Sequence, residues 1–169
     1  MEKKGGIWVS AILYIAMGVV LLTIILAAGL PALQKMKDSY TAQQTKDLMI
    51  TLDDNIRNVF HEGPSSQRIV NIDIGRGEFV INPESDEIEW SLESSAILSE
   101  LGEVIQEGNL HILTQETGVK DKYSITLTLD YTLANINLTY EGSQKLSGDA
   151  KLSMLNKGGS PINIAITQL

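Results

Sequence analysis

Cysteine is absent from this chain of 169 residues, which excludes a disulfide framework, a thiolate metal site, a cysteine nucleophile and a lipid-modified cysteine anchor. Histidine is scarce. His61 and His111 lie far apart in the sequence, so neither a helix-face metal pair nor a His-Glu-x-x-His pattern exists. There is no Gly-x-Ser-x-Gly nucleophile turn and no Gly-x-x-x-x-Gly-Lys phosphate loop, and Gly75-x-Gly77 lacks the third glycine of a dinucleotide site. Carboxylate pairs such as Asp53-Asp54 are of the kind used in glycoside hydrolysis. Aromatics are only 5% of the chain, however, and beyond Trp90 the strand-like region has just Tyr123, Tyr131 and Tyr140, too few to line a sugar cleft. The expectation is a protein that is not an enzyme and needs no cofactor and no metal.

Positive charge is also short. Between Arg76 and Lys120 there are ten acids and no Lys or Arg, and beyond residue 34 the count is 11 Lys and Arg against 20 Asp and Glu, a balance of −9. Phosphate contacts need cationic side chains, so this surface disfavours nucleic acid; its acidity serves solubility.

Charge is missing altogether from Ile7 to Gln34, and that gap is the most informative part of the chain. As a helix rising about 1.5 Å per residue, Ile7–Leu33 would be roughly 40 Å long, against roughly 30 Å of bilayer hydrocarbon. Apolar residues occur all round it, leaving no polar stripe for water. It exceeds the apolar core of a secretory signal peptide, about 7–15 residues. Lys3 and Lys4 on one side are balanced by Lys35 and Lys37 on the other, so the positive-inside rule barely discriminates, and the shortness of the leader favours an N-inside orientation. Thr23 can bond its own preceding turn, and Pro31 is expected to loosen the helix without ending it.

Helical periodicity persists beyond the apolar run. Leu33, Met36, Tyr40, Leu48, Met49, Leu52, Ile56, Val59 and Phe60 recur at spacings of three and four, with Lys37, Asp38, Lys46, Asp47, Asp53, Asp54 and Arg57 placed largely elsewhere. Gly63-Pro64 should stop the helix. The resulting domain reading is a leader at 1–6, a transmembrane or filament-core helix at 7–33, an amphipathic extension at 34–62 and a β-rich head at 66–169.

A short basic leader, Lys3-Lys4-Gly5-Gly6, an apolar helix that turns amphipathic, a proline partway along and a strand-rich head together resemble archaeal type IV pilin-like proteins. The resemblance implies a class III signal peptide cut by the prepilin peptidase, a membrane aspartyl protease that cleaves after a glycine preceded by basic residues. Carried onto this chain, the processing residues are Lys3, Lys4, Gly5, Gly6 and Ile7, with the cut after Gly5 or after Gly6. The chain departs from the bacterial pattern, because Ser10 or Ala11 stands where a glutamate would occupy the fifth mature position. The resemblance also implies other partners: copies of the chain or related subunits, a pilus assembly platform, and membrane lipid before assembly.

From Arg68 the period changes from 3.6 to 2. Arg68–Ile74 and Glu78–Asn82 are predicted as strands joined by a tight turn at Gly75-Arg76-Gly77, and a second turn at Asn82–Ser85 leads to Glu87–Leu92, giving a three-stranded meander. That second turn and its acids lack the Asp-x-Asp-x-Asp-Gly spacing of a calcium loop. Ser94 or Ser95 is placed to cap a short helix over 96–101, the alternative being irregular chain as far as Ile105. Further strands are predicted at Leu110–Gln115, Tyr123–Tyr131, Ile136–Tyr140, Ala150–Leu155 and Ile162–Thr167, with a hairpin turn at 156–161. The expected fold class is α+β, a long hydrophobic-to-amphipathic helix followed by an antiparallel head, either a sandwich or a curled sheet, packed against the outer part of the helix. Asn137-Leu138-Thr139 is a glycosylation sequon on a predicted strand edge.

Two functional readings follow. One is a structural subunit, major or minor, of a type IV pilus-like surface filament for adhesion or secretion. The other is an uncleaved single-pass membrane protein that displays an extracellular β binding domain. Both place the head outside the cell membrane.

Overall fold

The N-terminal apolar run and the spacing of three and four beyond it form one helix, α1 (Lys4–Glu62), which passes through Pro31. The computed structural model describes residues 4–143 and 145–169, with side chains from Trp8 onward. The chain divides into two compact units, one reaching to Lys37 and the other running from Asp38 to Leu169. In the first, the side chains from Trp8 to Leu33 are all exposed.

In the second unit the helix buries one face. Ala42, Met49, Leu52, Ile56 and Val59 are fully buried, one helical turn after another, in a core with Phe79, Trp90, Leu127, Leu129 and Met154. Met36 and Tyr40 do not share that face. They are exposed, and the helical turn of about 100° per residue puts them opposite Asp38 and Ala42. The helix ends as its sequence requires: Gly63 takes a φ of 92° and Pro64 follows. The Ser66 hydroxyl donates to the Val59 and Gly63 carbonyls at 2.7 and 2.8 Å, covering acceptors the last turn leaves open.

The head is one eight-stranded open sheet rather than a sandwich. Its strands are β1 (Gln67–Asn82), β2 (Glu87–Ser94), β3 (Val104–Glu107), β4 (Leu110–Glu116), β5 (Tyr123–Asp130), β6 (Ile136–Glu141), β7 (Lys145–Gly158) and β8 (Ile162–Gln168). They lie in the order β3-β4-β5-β2-β1-β7-β8-β6. Every pair is antiparallel except β6 with β8. The alternation in β5 is realised as expected, with Ile125, Leu127 and Leu129 buried and their neighbours half-buried. The sheet curls: Asp86, in the turn between β1 and β2, accepts the Leu138 N–H of the terminal strand β6 at 2.7 Å.

Two local expectations are corrected. Gly75-Arg76-Gly77 is not a hairpin turn, and Arg68–Ile74 and Glu78–Asn82 are one strand, so the meander does not form. β7 pairs with both parts of β1, and Gly75, Arg76, Gly77 and Glu78 stand opposite Ser147 alone, forming a bulge. Gly77 relieves a crowded point of that bulge, and the segment does not reverse the chain. Gly77 has a φ of 94°, and a Cβ there would sit 2.5 Å from the Trp90 indole nitrogen and 2.6 Å from the Ser91 carbonyl oxygen. Second, of the two readings after Ser94 the irregular chain holds, with no helix over 96–101, but it ends at Glu103, and a strand begins at Val104. The Ser94 hydroxyl accepts the Ala96 N–H, as a cap would, but also donates to the Ala96 carbonyl. Ser99 is then drawn to Thr114 of β4 by two hydrogen bonds, which hold the segment against the sheet before β3 begins.

Gly77→Ala should therefore destabilise the protein by at least about 2 kcal/mol, adding left-handed strain to a clash with packed indole. Gly75 has a negative φ and no atom near its would-be Cβ, so Gly75→Ala should be nearly neutral. Urea unfolding of the detergent-solubilised variants, followed by Trp fluorescence, would separate the two.

Candidate functional site

The processing residues sit at the extreme N-terminus. Lys3 lies outside the described residues, while Lys4, Gly5, Gly6 and Ile7 form the opening backbone of α1. From Trp8 the helix is long and apolar enough to cross a membrane. Within it the Thr23 hydroxyl donates to the Val19 carbonyl at 2.8 Å, one turn back.

Asp38, fully buried, opens the second unit and bonds the helix to the sheet. Its carboxylate accepts Arg76 Nη1 through Oδ1 and the Ser95 N–H through Oδ2, the latter at 2.8 Å. Trp90 Nε1 in turn donates to the Arg76 carbonyl at 2.9 Å. The bulge in β1 thus serves a purpose: it carries Arg76 to the helix and holds its backbone against the indole. A fully buried carboxylate is tolerable only when paired and hydrogen-bonded, and here one cation and one backbone amide meet that need.

A second connection lies about four turns along. Asp53 accepts the Tyr131 hydroxyl at 2.9 Å and Asn109 Nδ2 at 3.4 Å through Oδ1, and Arg57 Nε at 2.7 Å through Oδ2. Burial, the neighbouring Asp53 charge and the hydrogen bond to it all hold the Tyr131 hydroxyl well above the ordinary tyrosine range. The third connection is at the helix end, where Asn156 Nδ2 donates to the Val59 carbonyl at 3.0 Å and Asn156 Oδ1 accepts the Gly158 N–H at 2.7 Å.

These residues were not evident from the sequence. Asp38 and Asp53 were expected with the solvent-facing charges, and both are buried. A signal did exist, since Asp38 precedes Ala42, Thr45, Met49 and Leu52 at helical spacing, but an aspartate in that register resembles a surface residue until its partner is known.

The remaining residues of interest are dispersed. Asn137 is half-buried in β6, opposite Asn163 of β8, and the Thr139 hydroxyl of the sequon donates to Asn163 Oδ1 at 3.0 Å. His61 stacks edge-on against Phe60, and His111 is on β4. In the acidic turn, Asn82 Oδ1 accepts the Glu84 N–H and Asp86 is committed to Leu138, so two of its oxygens hold the chain in place. Asp130, just after the last position of alternation in β5, is held below the usual carboxylate range by hydrogen bonds from the Thr132 hydroxyl and N–H.

These observations define a class: an α+β protein whose single long helix is a candidate membrane span in its first part and the core of a β-rich head in its second. No family model, curated protein or solved structure matches the chain.

Tyr131 yields a signed prediction. Its folded-state value is raised, so its contribution to stability is complete below the unfolded value of about 10 and is lost as pH climbs toward the folded one. Tyr131→Phe should remove that part of the alkaline decline and cost about 1–3 kcal/mol at neutral pH, because Asp53 loses a donor. Unfolding free energies measured from pH 7 to 11 for both proteins would check it.

Proposed function

We propose that this chain is a structural subunit of a type IV pilus-like surface filament, made as a membrane-inserted precursor with its N-terminus inside the cell. The observation that carries this reading is the continuity of α1. One helix runs from Lys4 through an apolar stretch whose side chains are exposed from Trp8 onward and on, past Pro31, into the core of a folded head. A simple anchor has no need of such continuity, whereas a subunit that must leave the membrane does.

Lys3 and Lys4 would hold the leader at the inner surface, and the prepilin peptidase would cut after Gly5 or Gly6, leaving Gly6 or Ile7 first. An assembly platform would then draw subunits out of the bilayer. Extraction is tolerable because residues 7–33 would leave lipid only to be buried against the same segment of neighbouring copies, so little apolar area meets water. The acidic heads would coat the filament, and adhesion or secretion would be exercised through them. Asn137, on the terminal strand of the sheet, would be open to glycosylation on such a surface.

One observation favours a second reading. The core formed from Asp38 onward is closed by the chain's own helix, so the head needs no polymer to fold and suits a permanently anchored binding domain. The two readings part at the N-terminus. Intact mass and terminal sequencing of the membrane-associated protein should find Gly6 or Ile7 first, and replacing Gly5 and Gly6 with bulky residues should abolish that product. Retention of Met1, or loss of the initiator methionine alone, would favour the anchored protein.

A further inference from the structure

An open sheet has two terminal strands, and here they are treated differently. On β6 the outward Leu138 N–H is occupied by Asp86. On β3 no strand pairs with the outer side among the described residues, and every residue is exposed. Exposed edges are commonly blunted by charge, proline or a covering segment. This one instead carries Val104, 59% exposed, and Ile105, with Leu101 and Ile97 exposed on the approach to it.

The backbone on that edge has no partner strand among the described residues. Glu107 and Leu110 flank the two-residue turn Gly108-Asn109, which makes them a hydrogen-bonded pair across the hairpin. By the alternation of an antiparallel ladder, Glu107 and Ile105 bond to β4 while the N–H and C=O of Val104 and Gln106 point outward. The ion pair between Glu107 and Lys46 of α1 at 2.6 Å braces the strand.

Charge selects the occupant. Glu100 and Glu103 are exposed beside the apolar residues, and no Lys or Arg occurs between Arg76 and Lys120. A second copy would bring the same exposed Glu100 and Glu103 and no Lys or Arg on this segment, so two such edges offer each other no opposite charge. A lysine- or arginine-rich strand with apolar residues at alternate positions satisfies the backbone, the side chains and the field together.

We propose that the outer edge of β3 is a strand-addition site for an extended, cationic segment of a partner protein. It does not depend on whether the chain polymerises.

The test uses the full chain in detergent micelles and a capped peptide of alternating lysine and valine, with the glutamate-valine peptide as its counterpart. The lysine peptide should bind saturably and slow amide exchange at Val104 and Gln106 by about tenfold or more, a sign that these groups have entered a ladder. Gln106→Pro removes an outward N–H that β4 does not use, so it should leave thermal unfolding nearly unchanged and abolish binding. Should that variant unfold, the double variant Glu100→Lys, Glu103→Lys should lose the lysine peptide and gain the glutamate one. Equal binding of both peptides by the natural protein, full affinity in Gln106→Pro, slowed exchange confined to other strands, or an unchanged preference in the double variant would each overturn the proposal.

Discussion

Everything in the head depends on burying one face of a helix that is hydrophilic on its other faces. From Asp38 to Val59 that face supplies a continuous row of core side chains, and the eight strands are arranged about it. Apolar burial, about 25 cal/mol per Å², provides the drive but not the register, because a helix can slide or rotate on a sheet at modest cost in area. Register comes from polar groups that tolerate only one position. Asp38 with Arg76 and Ser95, Asp53 with Tyr131, and the Val59 carbonyl with Asn156 tie the helix to separate parts of the sheet. A shift of one turn would leave buried charges and carbonyls without partners, at several kcal/mol.

The same helix meets different surroundings along its length. From Trp8 to Leu33 its side chains are exposed and mostly apolar, a composition suited to lipid or to other apolar helices; from Asp38 it is one wall of a protein core. Lys35 and Lys37 lie between these stretches, and buried Asp38 comes directly after them. In the proposed filament this succession would let the apolar stretch be handed from bilayer to neighbouring subunits without refolding the head. In an anchored protein it would serve only to connect.

Local signals carried much of the architecture. The apolar run, the stop at Gly63-Pro64 and the strict alternation at 123–131 each depend on residues within a few positions of one another, and each appears where expected. The errors share a different cause. Gly75-Arg76-Gly77 has the composition of a turn, yet its conformation is dictated by β7, some seventy residues later, which pairs on both sides of it. Residues 96–101 have a helix cap, but Thr114 offers Ser99 better-placed partners. Met36 and Tyr40 have the right spacing and the wrong face, because the sheet chose the face bearing Asp38.

The amino-acid order alone carries the chain's local grammar: a span apolar enough for a membrane, the length of the helix, a β-rich remainder and an acidic composition without cysteine. Each is set by side-chain polarity and backbone preference over a turn or a strand. Long-range packing selects which aspartates are buried, which glycines lie in a bulge and which strand is left open at the end of the sheet. Those outcomes depend on pairings such as Gln67 with Leu155 and Asp53 with Tyr131, between residues far apart in the chain, and no local period records them.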